Sequence, residues 1–141
     1  MPVAGANAPI RIVAAVIRDA AGRILLVRKQ GTQAFMQPGG KREPGEDDAA
    51  ALARELREEL GCAVRPGSLR YLETLTAPAA NEAGRLVEAA LYAAAVEGRP
   101  AVSAEIAEMR WIDPSAPPDI VLAPLTREGV LPLLRRETAD R

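Results

Sequence analysis

The sequence contains no histidine and only one cysteine, Cys62. The absence of histidine removes the commonest zinc ligand and the usual general base at neutral pH. A single cysteine excludes an internal disulfide framework, and without a histidine to activate its thiol we expect Cys62 to pack as an inert small hydrophobic residue. Acid–base chemistry would therefore fall mainly to carboxylates, lysine and tyrosine.

A surplus of charge and a long apolar run are also absent. The formal net charge is -1 at pH 7, so the chain has no overall basic excess for holding a nucleic acid backbone. The sequence shows no apolar run of about 18 residues and no charged-then-apolar leader. We therefore expect no membrane partner, no stable nucleic acid partner and a cytoplasmic location.

The length of the chain suits one domain. With 141 residues, of which 48% are hydrophobic, it can bury roughly two-thirds of its unfolded surface in a single core. Residues 1–9 are rich in alanine, glycine and proline and predict a flexible N-terminal arm. Residues 10–141 predict a single domain.

The order of predicted elements indicates the fold class. Apolar and β-branched runs bounded by turn signals predict strands at residues 10–18, 23–29, 69–76, 85–96 and 105–112. The first two strands flank a four-residue connection, residues 19–22, which predicts an antiparallel hairpin.

Loops and helices complete this prediction. Residues 30–37 and 77–84 predict loops, and a last helix is expected from residue 124 or 126 to 136, with Pro132 causing a kink or a division into two helices. Together with a helix over residues 48–60, this order predicts an α+β fold with a mixed sheet between helices.

The acidic stretch from Gly40 to Cys62 is the feature around which the chain is organised. Asp47 is placed to cap the helix predicted over residues 48–60. Helical geometry then aligns three leucines on one core-facing stripe: Leu52, Leu56 and Leu60.

Three glutamates share the face beside this stripe. Glu55, Glu58 and Glu59 are related by spacings of three and four residues, so their like charges destabilise the helix unless water or a cation separates them. Carboxylate oxygens are the ligands that Mg²⁺ and Mn²⁺ prefer. The sequence therefore predicts a site for Mg²⁺ or Mn²⁺ on this helix.

The same stretch resembles the Nudix box, the signature of the Nudix hydrolases. Its pattern is Gly40, five residues, Glu46, seven residues, and then the run Arg54-Glu55-Leu56-Arg57-Glu58-Glu59-Leu60-Gly61 followed by a small apolar residue. The resemblance implies an α/β/α sandwich with a mixed sheet, the Nudix fold. It also implies metal-dependent attack of water on phosphorus in a nucleoside diphosphate linked to another moiety.

The resemblance implies roles for residues inside the box. Glu58 and Glu59 would be the first metal ligands, and Glu55 a third ligand or the base that orients the attacking water. Arg54 would orient one of these carboxylates by a salt bridge, which restricts the rotamers of the ligand.

Residues outside this helix have implied roles as well. Gly39 and Gly40 match positions whose backbone carbonyls can reach the metal, and Glu46 matches a position of structural importance. Glu105 resembles a downstream glutamate that joins the metal site or acts as base in some members, with Glu108 as the competing candidate.

Substrate choice depends on residues outside the helix. Phe35, Gln37 and Lys41 are the substrate-binding candidates, with Phe35 the favoured aromatic for stacking on a base. The run at residues 38–41, PGGK, is shared with members that cleave oxidised purine nucleoside triphosphates. Pro78 resembles a proline of members that hydrolyse ADP-ribose, so both substrate classes stay open.

Two other functions make different predictions. A Nudix-like module that senses a nucleotide without cleaving it would have no need of the crowded glutamates. An RNA-processing hydrolase would need a basic surface that the composition does not provide. A small nucleotide is therefore the expected partner, and the resemblance is compatible with a homodimer.

Overall fold

The computed structural model describes residues 8–139, so most of the arm predicted at residues 1–9 lies outside the described residues. Within the described range, helices and strands follow one another in this order: β1 (Ile10–Val16), β2 (Ile24–Lys29), β3 (Phe35–Met36), β4 (Gly39–Gly40), α1 (Asp48–Leu60), β5 (Ala63–Val64), β6 (Arg70–Pro78), β7 (Leu86–Ala93), β8 (Val96–Glu97), β9 (Ile106–Ile112), a π-helical segment (Leu125–Val130) and α2 (Leu131–Ala139).

Helix α1 has the bounds that the sequence predicts. The Asp47 carboxylate caps it by accepting a hydrogen bond from the Ala50 backbone N–H at 2.8 Å. The helix ends where Gly61 adopts a φ of 67°, a left-handed conformation that glycine takes without steric cost, and donates its N–H to the Arg57 carbonyl. All three leucines of the predicted stripe are fully buried: Leu52, Leu56 and Leu60.

The strands form a mixed sheet arrangement. The four-stranded sheet has the order β4-β1-β7-β6, in which β1 and β7 run parallel and the other pairs antiparallel. A three-stranded sheet has the order β3-β2-β9, and β5 pairs with β8. The two larger sheets meet through the turn between β1 and β2.

Helices cover both faces of these strands. On one face, alternate residues of β1 and β2, such as Val13 and Leu25, share a buried cluster with the α1 leucines. On the other face, Ala14 and Leu26 share a second cluster with residues of the π-helical segment and α2. Because successive strand residues point to opposite faces, this division produces the expected α+β sandwich.

The predicted antiparallel hairpin is confirmed next to its turn, where Arg18 and Ile24 form an isolated antiparallel bridge, but β1 and β2 then enter different sheets. The turn itself forms, since the Leu25 N–H donates to the Ile17 carbonyl and the Asp19 N–H to the Arg23 carbonyl. After it, β1 pairs with β4 and β7, whereas β2 pairs with β3 and β9. Both strands are buried on both faces in separate sheets, and a local run of apolar residues does not reveal which strands will be their partners.

Four other boundaries differ from the predictions. The expected loop at residues 30–37 contains β3, and the glycine pair at residues 39–40 forms β4 rather than a simple turn. Strand β6 continues to Pro78 because its backbone still pairs with Leu86 there. The run expected as one strand at residues 85–96 divides, since β7 ends at Ala93 and β8 begins at Val96.

The C-terminal helix changes type next to Pro132 but its backbone stays helical there, since Leu131 has φ and ψ values of -61° and -45°. It begins as the π-helical segment and becomes α-helical at Leu131, one residue before the proline. Proline lacks the N–H that a helix interior requires, so it fits the first turn of α2. Among residues 8–139, no helix has the length and apolar character needed to cross a membrane.

Candidate functional site

Strand β4 brings bare backbone against the acidic helix. A side chain on Gly39, whose φ is 149°, would collide with the Val13 carbonyl of β1. A Cβ on Gly40 would lie 2.6 Å from the Glu55 carboxyl carbon. Glycine at both positions therefore lets the strand pair closely with β1 and lets the Glu55 carboxylate rest directly on the backbone.

Glu59 is the most buried acidic side chain of the site. Its residue exposure is 6%, and its Oε1 accepts a hydrogen bond from the Gly39 backbone N–H at 3.1 Å. Burial raises the pKa of Glu59 to about 8, and the neighbouring charges of Glu55 and Glu105 act in the same direction. The Gly39 hydrogen bond and the charge of Lys29 oppose this shift. A cation beside Glu59 would favour its ionised form.

Glu55 lies beside Glu59 and is also largely buried. Burial is the main reason that its pKa is raised, while Arg54 and Lys29 act to lower it. Two carboxylates that are both shielded from water and coupled by charge form an unfavourable pair in the absence of a cation.

Arg54 connects the acidic groups of the helix and the preceding loop. Its Nε donates to Glu46 at 2.7 Å, and its Nη1 donates to Glu55 at 2.9 Å. Its Nη2 donates to the Lys41 carbonyl at 2.9 Å. The hydrogen bond from Arg54 is the main reason that the pKa of Glu46 falls to about 2. Arg54 therefore holds the loop against the helix and restricts the rotamer of Glu55.

Glu58 lies at the exposed side of Glu55, and both carboxylates contact Nη1 of Arg54. The Glu58 side chain is 53% exposed and lies 3.4 Å from Arg54. Among residues 8–139, no group of three or more acidic or cysteine side chains is placed to hold a metal ion by itself. The predicted metal ligands are thus placed as a pair, Glu55 and Glu59, with Glu58 at its exposed side.

The donor set at this point fits a hard divalent cation. It combines two carboxylates with adjacent glycine backbone, and the Glu55 carboxyl carbon lies 2.6 Å from the point where a Gly40 Cβ would be. Mg²⁺ and Mn²⁺ take such oxygen donors while retaining water ligands, so a fully enclosing protein cage is not required.

The two downstream glutamates occupy different surroundings. Glu105 is exposed, but its charge contributes to the raised pKa of Glu59, which places it on the side of the acidic pair. Glu108 instead forms ion pairs with Arg28 at 3.3 Å and Arg110 at 3.6 Å. The geometry favours Glu105 over Glu108 as a partner of the acidic helix.

Two substrate candidates lie apart from the acidic pair. Phe35 is 5% exposed, belongs to the core cluster on the α2 side and has the Arg110 guanidinium 5.9 Å from its ring centre. This position gives no support to a role in stacking on a base. Lys41 is exposed, and its backbone carbonyl rather than its side chain contacts Arg54.

Gln37 lies in a separate apolar cleft. This cleft, of about 130 Å³, is lined by β1, by β7, by the segment that follows β6 and by residues just before and within the π-helical segment. Gln37 is 6% exposed, and its Oε1 accepts a hydrogen bond from the Thr126 hydroxyl at 2.8 Å. Pro78 lines the same cleft and marks the end of β6.

Three residues near these sites were not identified from the sequence. Lys29 ends β2 and acts electrostatically on Glu55 and Glu59, whereas Thr126 and Met36 contribute to the surroundings of Gln37 and the cleft. A lysine at the end of a strand and a threonine within a helix carry no sequence signal of this kind. Their proximity follows from the packing of distant segments.

Comparisons with known proteins agree with this arrangement. A family model described as the NUDIX domain matches residues 8–134. The 8-oxo-dGTP diphosphatase of Haemophilus influenzae is 43% identical over 56 residues, a match that covers 37% of this chain and 41% of that protein. The chain thus matches less than half the length of this curated relative.

Solved structures provide a longer match. The E. coli ORF135 protein has a TM-score of 0.63 and 30% identity, with 99% of this chain and 94% of that chain covered. A UDP-X diphosphatase has a TM-score of 0.76 and 22% identity, with 95% of this chain but only 65% of that chain covered. The second likeness concerns the fold alone.

Proposed function

Because the chain belongs to the Nudix hydrolase family, we propose that it hydrolyses a phosphoanhydride bond in a nucleoside diphosphate linked to a further moiety. The observation that carries this proposal is the pair of carboxylates formed by buried Glu59 and half-buried Glu55, which is held against the Gly39–Gly40 backbone. Such a pair has no structural benefit for the helix, and a divalent cation would stabilise it.

Glu58 and Glu59 would hold Mg²⁺ or Mn²⁺, with Glu55 as a further ligand and the backbone of Gly39 and Gly40 beside it. Such a cation, when bound, offsets the negative charge of a pyrophosphate and lowers the pKa of a water ligand. Glu59 must lose its proton to serve as a ligand, since only an ionised carboxylate binds a hard cation strongly.

Two carboxylates are candidates for the base that accepts the proton of the attacking water. Glu55 lies in the acidic pair itself, and Arg54 holds it in one rotamer through the 2.9 Å hydrogen bond. Glu105 is exposed and acts on Glu59 through its charge. For Glu55 this preset position lowers the entropic cost of bringing water to phosphorus.

Nucleoside triphosphates are the substrate class that we propose, with oxidised dGTP among them. The local similarity to an 8-oxo-dGTP diphosphatase supports this class. The apolar cleft is lined by Gln37, which lies two positions before Gly39 in the sequence, and its apolar walls are suited to a base. Pro78 lines this cleft too, so ADP-ribose belongs among the compounds to be tested.

A substrate panel tests the proposed function. Purified protein is incubated with Mg²⁺ and, separately, nucleoside triphosphates, 8-oxo-dGTP, ADP-ribose, NADH, sugar nucleotides and dinucleoside polyphosphates, and products are identified by chromatography and mass spectrometry. We expect cleavage between phosphates in at least one compound. Loss of a ligand carboxylate in Glu58→Gln should reduce the rate by at least about 100-fold.

A matched variant separates the role of the acidic helix from a general loss of charge. Glu73 is an exposed glutamate of β6, so Glu73→Gln should cleave at the wild-type rate. If no compound is cleaved while one binds tightly in the presence of EDTA, the chain is a nucleotide-sensing module and the hydrolase proposal fails.

A further inference from the structure

We propose that the side-chain amide of Gln37 reads the base of the nucleotide and selects an oxo group over an amino group at the same ring position. This inference rests on the proposed function in so far as the ligand is a nucleotide. It concerns recognition in the apolar cleft and not the acidic site.

The starting observation is a buried hydrogen-bond donor without a partner. Gln37 is 6% exposed, and within residues 8–139 its Nε2 has no hydrogen-bond partner. Buried side-chain amides are nearly always satisfied, because an unpaired N–H loses its hydrogen bonds to water and gains none in return. Gln37 lines the cleft, although its Nε2 is shielded from solvent in the free protein. A ligand in the cleft that supplies an acceptor would satisfy this donor after a small rotation of the side chain.

Thr126 determines which end of the amide is available. Thr126 is fully buried, and its hydroxyl donates to Gln37 Oε1 at 2.8 Å. This bond occupies the carbonyl end of the amide and leaves the NH₂ group, which can only donate. Gln37 is thus held as a donor, and its orientation is set by a residue 89 positions away in the sequence.

The rest of the cleft supplies apolar contacts suited to a flat ring. Its inner walls are formed by side chains such as Ile12, Met36 and Leu125, whereas the polar residues Asn81 and Glu82 are exposed at the segment after β6. In surroundings of this kind a single hydrogen bond discriminates strongly, since a wrong partner leaves a buried polar group unpaired.

A hydrogen-bond donor at this position distinguishes between bases that carry an oxo group and bases that carry an amino group. Guanine, hypoxanthine and uracil carry an oxo acceptor where adenine and cytosine carry an amino donor. An oxo group pairs with the Gln37 NH₂, whereas an amino group sets donor against donor. The cleft is therefore expected to prefer 6-oxopurines over 6-aminopurines and 4-oxopyrimidines over 4-aminopyrimidines.

The cleft is also well placed relative to the acidic pair. Gln37 lies two residues before Gly39, a span of about 7 Å in extended chain, and the Gly39 N–H holds Glu59. Strand β4 is an edge strand of only two residues, so phosphates can pass beside it from the cleft toward the acidic helix. A base at Gln37 is compatible with phosphates at Glu55 and Glu59.

Binding of nucleoside monophosphates tests this inference without turnover. Two ligand pairs exchange an oxo for an amino group, IMP with AMP and UMP with CMP, while the neighbouring ring nitrogen changes from an N–H donor to an acceptor. Their affinities are measured by titration calorimetry in EDTA. For at least one pair we expect the wild-type protein to bind the oxo member about tenfold more tightly. In Gln37→Leu, which has a similar shape and no donor, this preference should disappear.

Two further variants separate recognition from stability. Thr126→Val frees the amide carbonyl, so the amide can rotate and the preference should fall although Gln37 is present. The double variant Gln37→Leu with Thr126→Val leaves neither polar group unpaired, so it should fold and bind both members of a pair equally.

The inference is overturned if neither pair shows a preference, if the amino member binds more tightly, if Gln37→Leu retains the preference, or if no monophosphate binds. The substrate panel is independent of these outcomes, because cleavage with an unchanged base preference in Gln37→Leu would leave the hydrolase proposal intact. Conversely, an oxo preference in a protein that cleaves nothing would support recognition and contradict hydrolysis.

Discussion

A single residue, Glu59, combines an ionisable side chain with burial in the fold. It is a carboxylate at the core side of a helix, and its protein hydrogen bond comes from the Gly39 backbone N–H. Burial of an ionisable group is costly unless it is neutralised or paired. The pKa of about 8 means that, without a cation, Glu59 is mostly protonated at neutral pH.

This raised pKa predicts a particular pH dependence of stability. Between about pH 4.5 and 8 the folded protein retains a proton on Glu59 that the unfolded chain has released. The stabilisation is present at low pH and is lost as the pH rises through 8. In EDTA, the free energy of unfolding of the wild type should therefore fall by about 2 kcal/mol more between pH 6 and 8.5 than that of Glu59→Gln.

Urea unfolding at a series of pH values measures this difference. The control Glu73→Gln alters an exposed carboxylate on β6 and should keep the wild-type slope. Parallel slopes for the wild type and Glu59→Gln would mean that Glu59 keeps an ordinary pKa.

The acidic site depends on close packing of α1 against β4, a strand that has no side chains of its own. The two glycines of β4 have different neighbours. An added Cβ on Gly39 meets the backbone of β1, which cannot move without breaking the strand pairing, and the φ of 149° disfavours any side chain. An added Cβ on Gly40 meets only the end of the flexible Glu55 side chain.

Because of these different neighbours, we expect Gly39→Ala mainly to lower stability and Gly40→Ala mainly to lower activity. Gly39→Ala should destabilise the fold by about 3 kcal/mol, a value typical of strained backbone together with a steric clash. Gly40→Ala should change stability by less than about 1 kcal/mol, but it should lower kcat by about 10- to 100-fold because Glu55 is displaced. Urea unfolding and kcat on a cleaved panel compound measure both effects. Equal losses of stability, or full activity in Gly40→Ala, would contradict this account of β4.

Helix α1 could be predicted from the sequence, whereas the pairing of the strands could not. Helix α1 was predicted with correct bounds because its signals are local: a capping Asp47, a leucine stripe and a terminal Gly61. The hairpin prediction failed beyond the turn because strand pairing is not local. Strand β1 pairs in parallel with β7, about 77 residues further along the chain, and adjacent apolar runs contain no information about that choice.

The acidic site could be predicted from local sequence, whereas the apolar cleft around Gln37 could not. The spacing of Glu55, Glu58 and Glu59 is a helical pattern, so their shared face follows from the sequence. The surroundings of Gln37 depend on Thr126 and on the segment after β6, and no local pattern joins them. Likewise, no strand was predicted at β4, because two glycines have little strand propensity of their own.

In the whole molecule, β1 separates the acidic helix from the apolar cleft. Helix α1 packs on one face of β1, and the apolar cleft opens on the other face beside Ile12 and Ala14. Residues 37–40 connect these faces along the edge of the sheet. The chemistry can therefore be shared by relatives with the same helix, while recognition varies with the segments that line the cleft.

The proposed role of the Glu55–Glu59 pair is hydrolysis, which the pair serves although it destabilises the fold. The most direct test of this role is one comparison of the wild type with Glu59→Gln, in which Mg²⁺-dependent turnover of a cleaved panel compound is measured at pH 8. We predict that Glu59→Gln remains folded, at least as stable as the wild type in EDTA, and at least about 100-fold slower. Turnover at the wild-type rate in a folded Glu59→Gln protein would contradict this role.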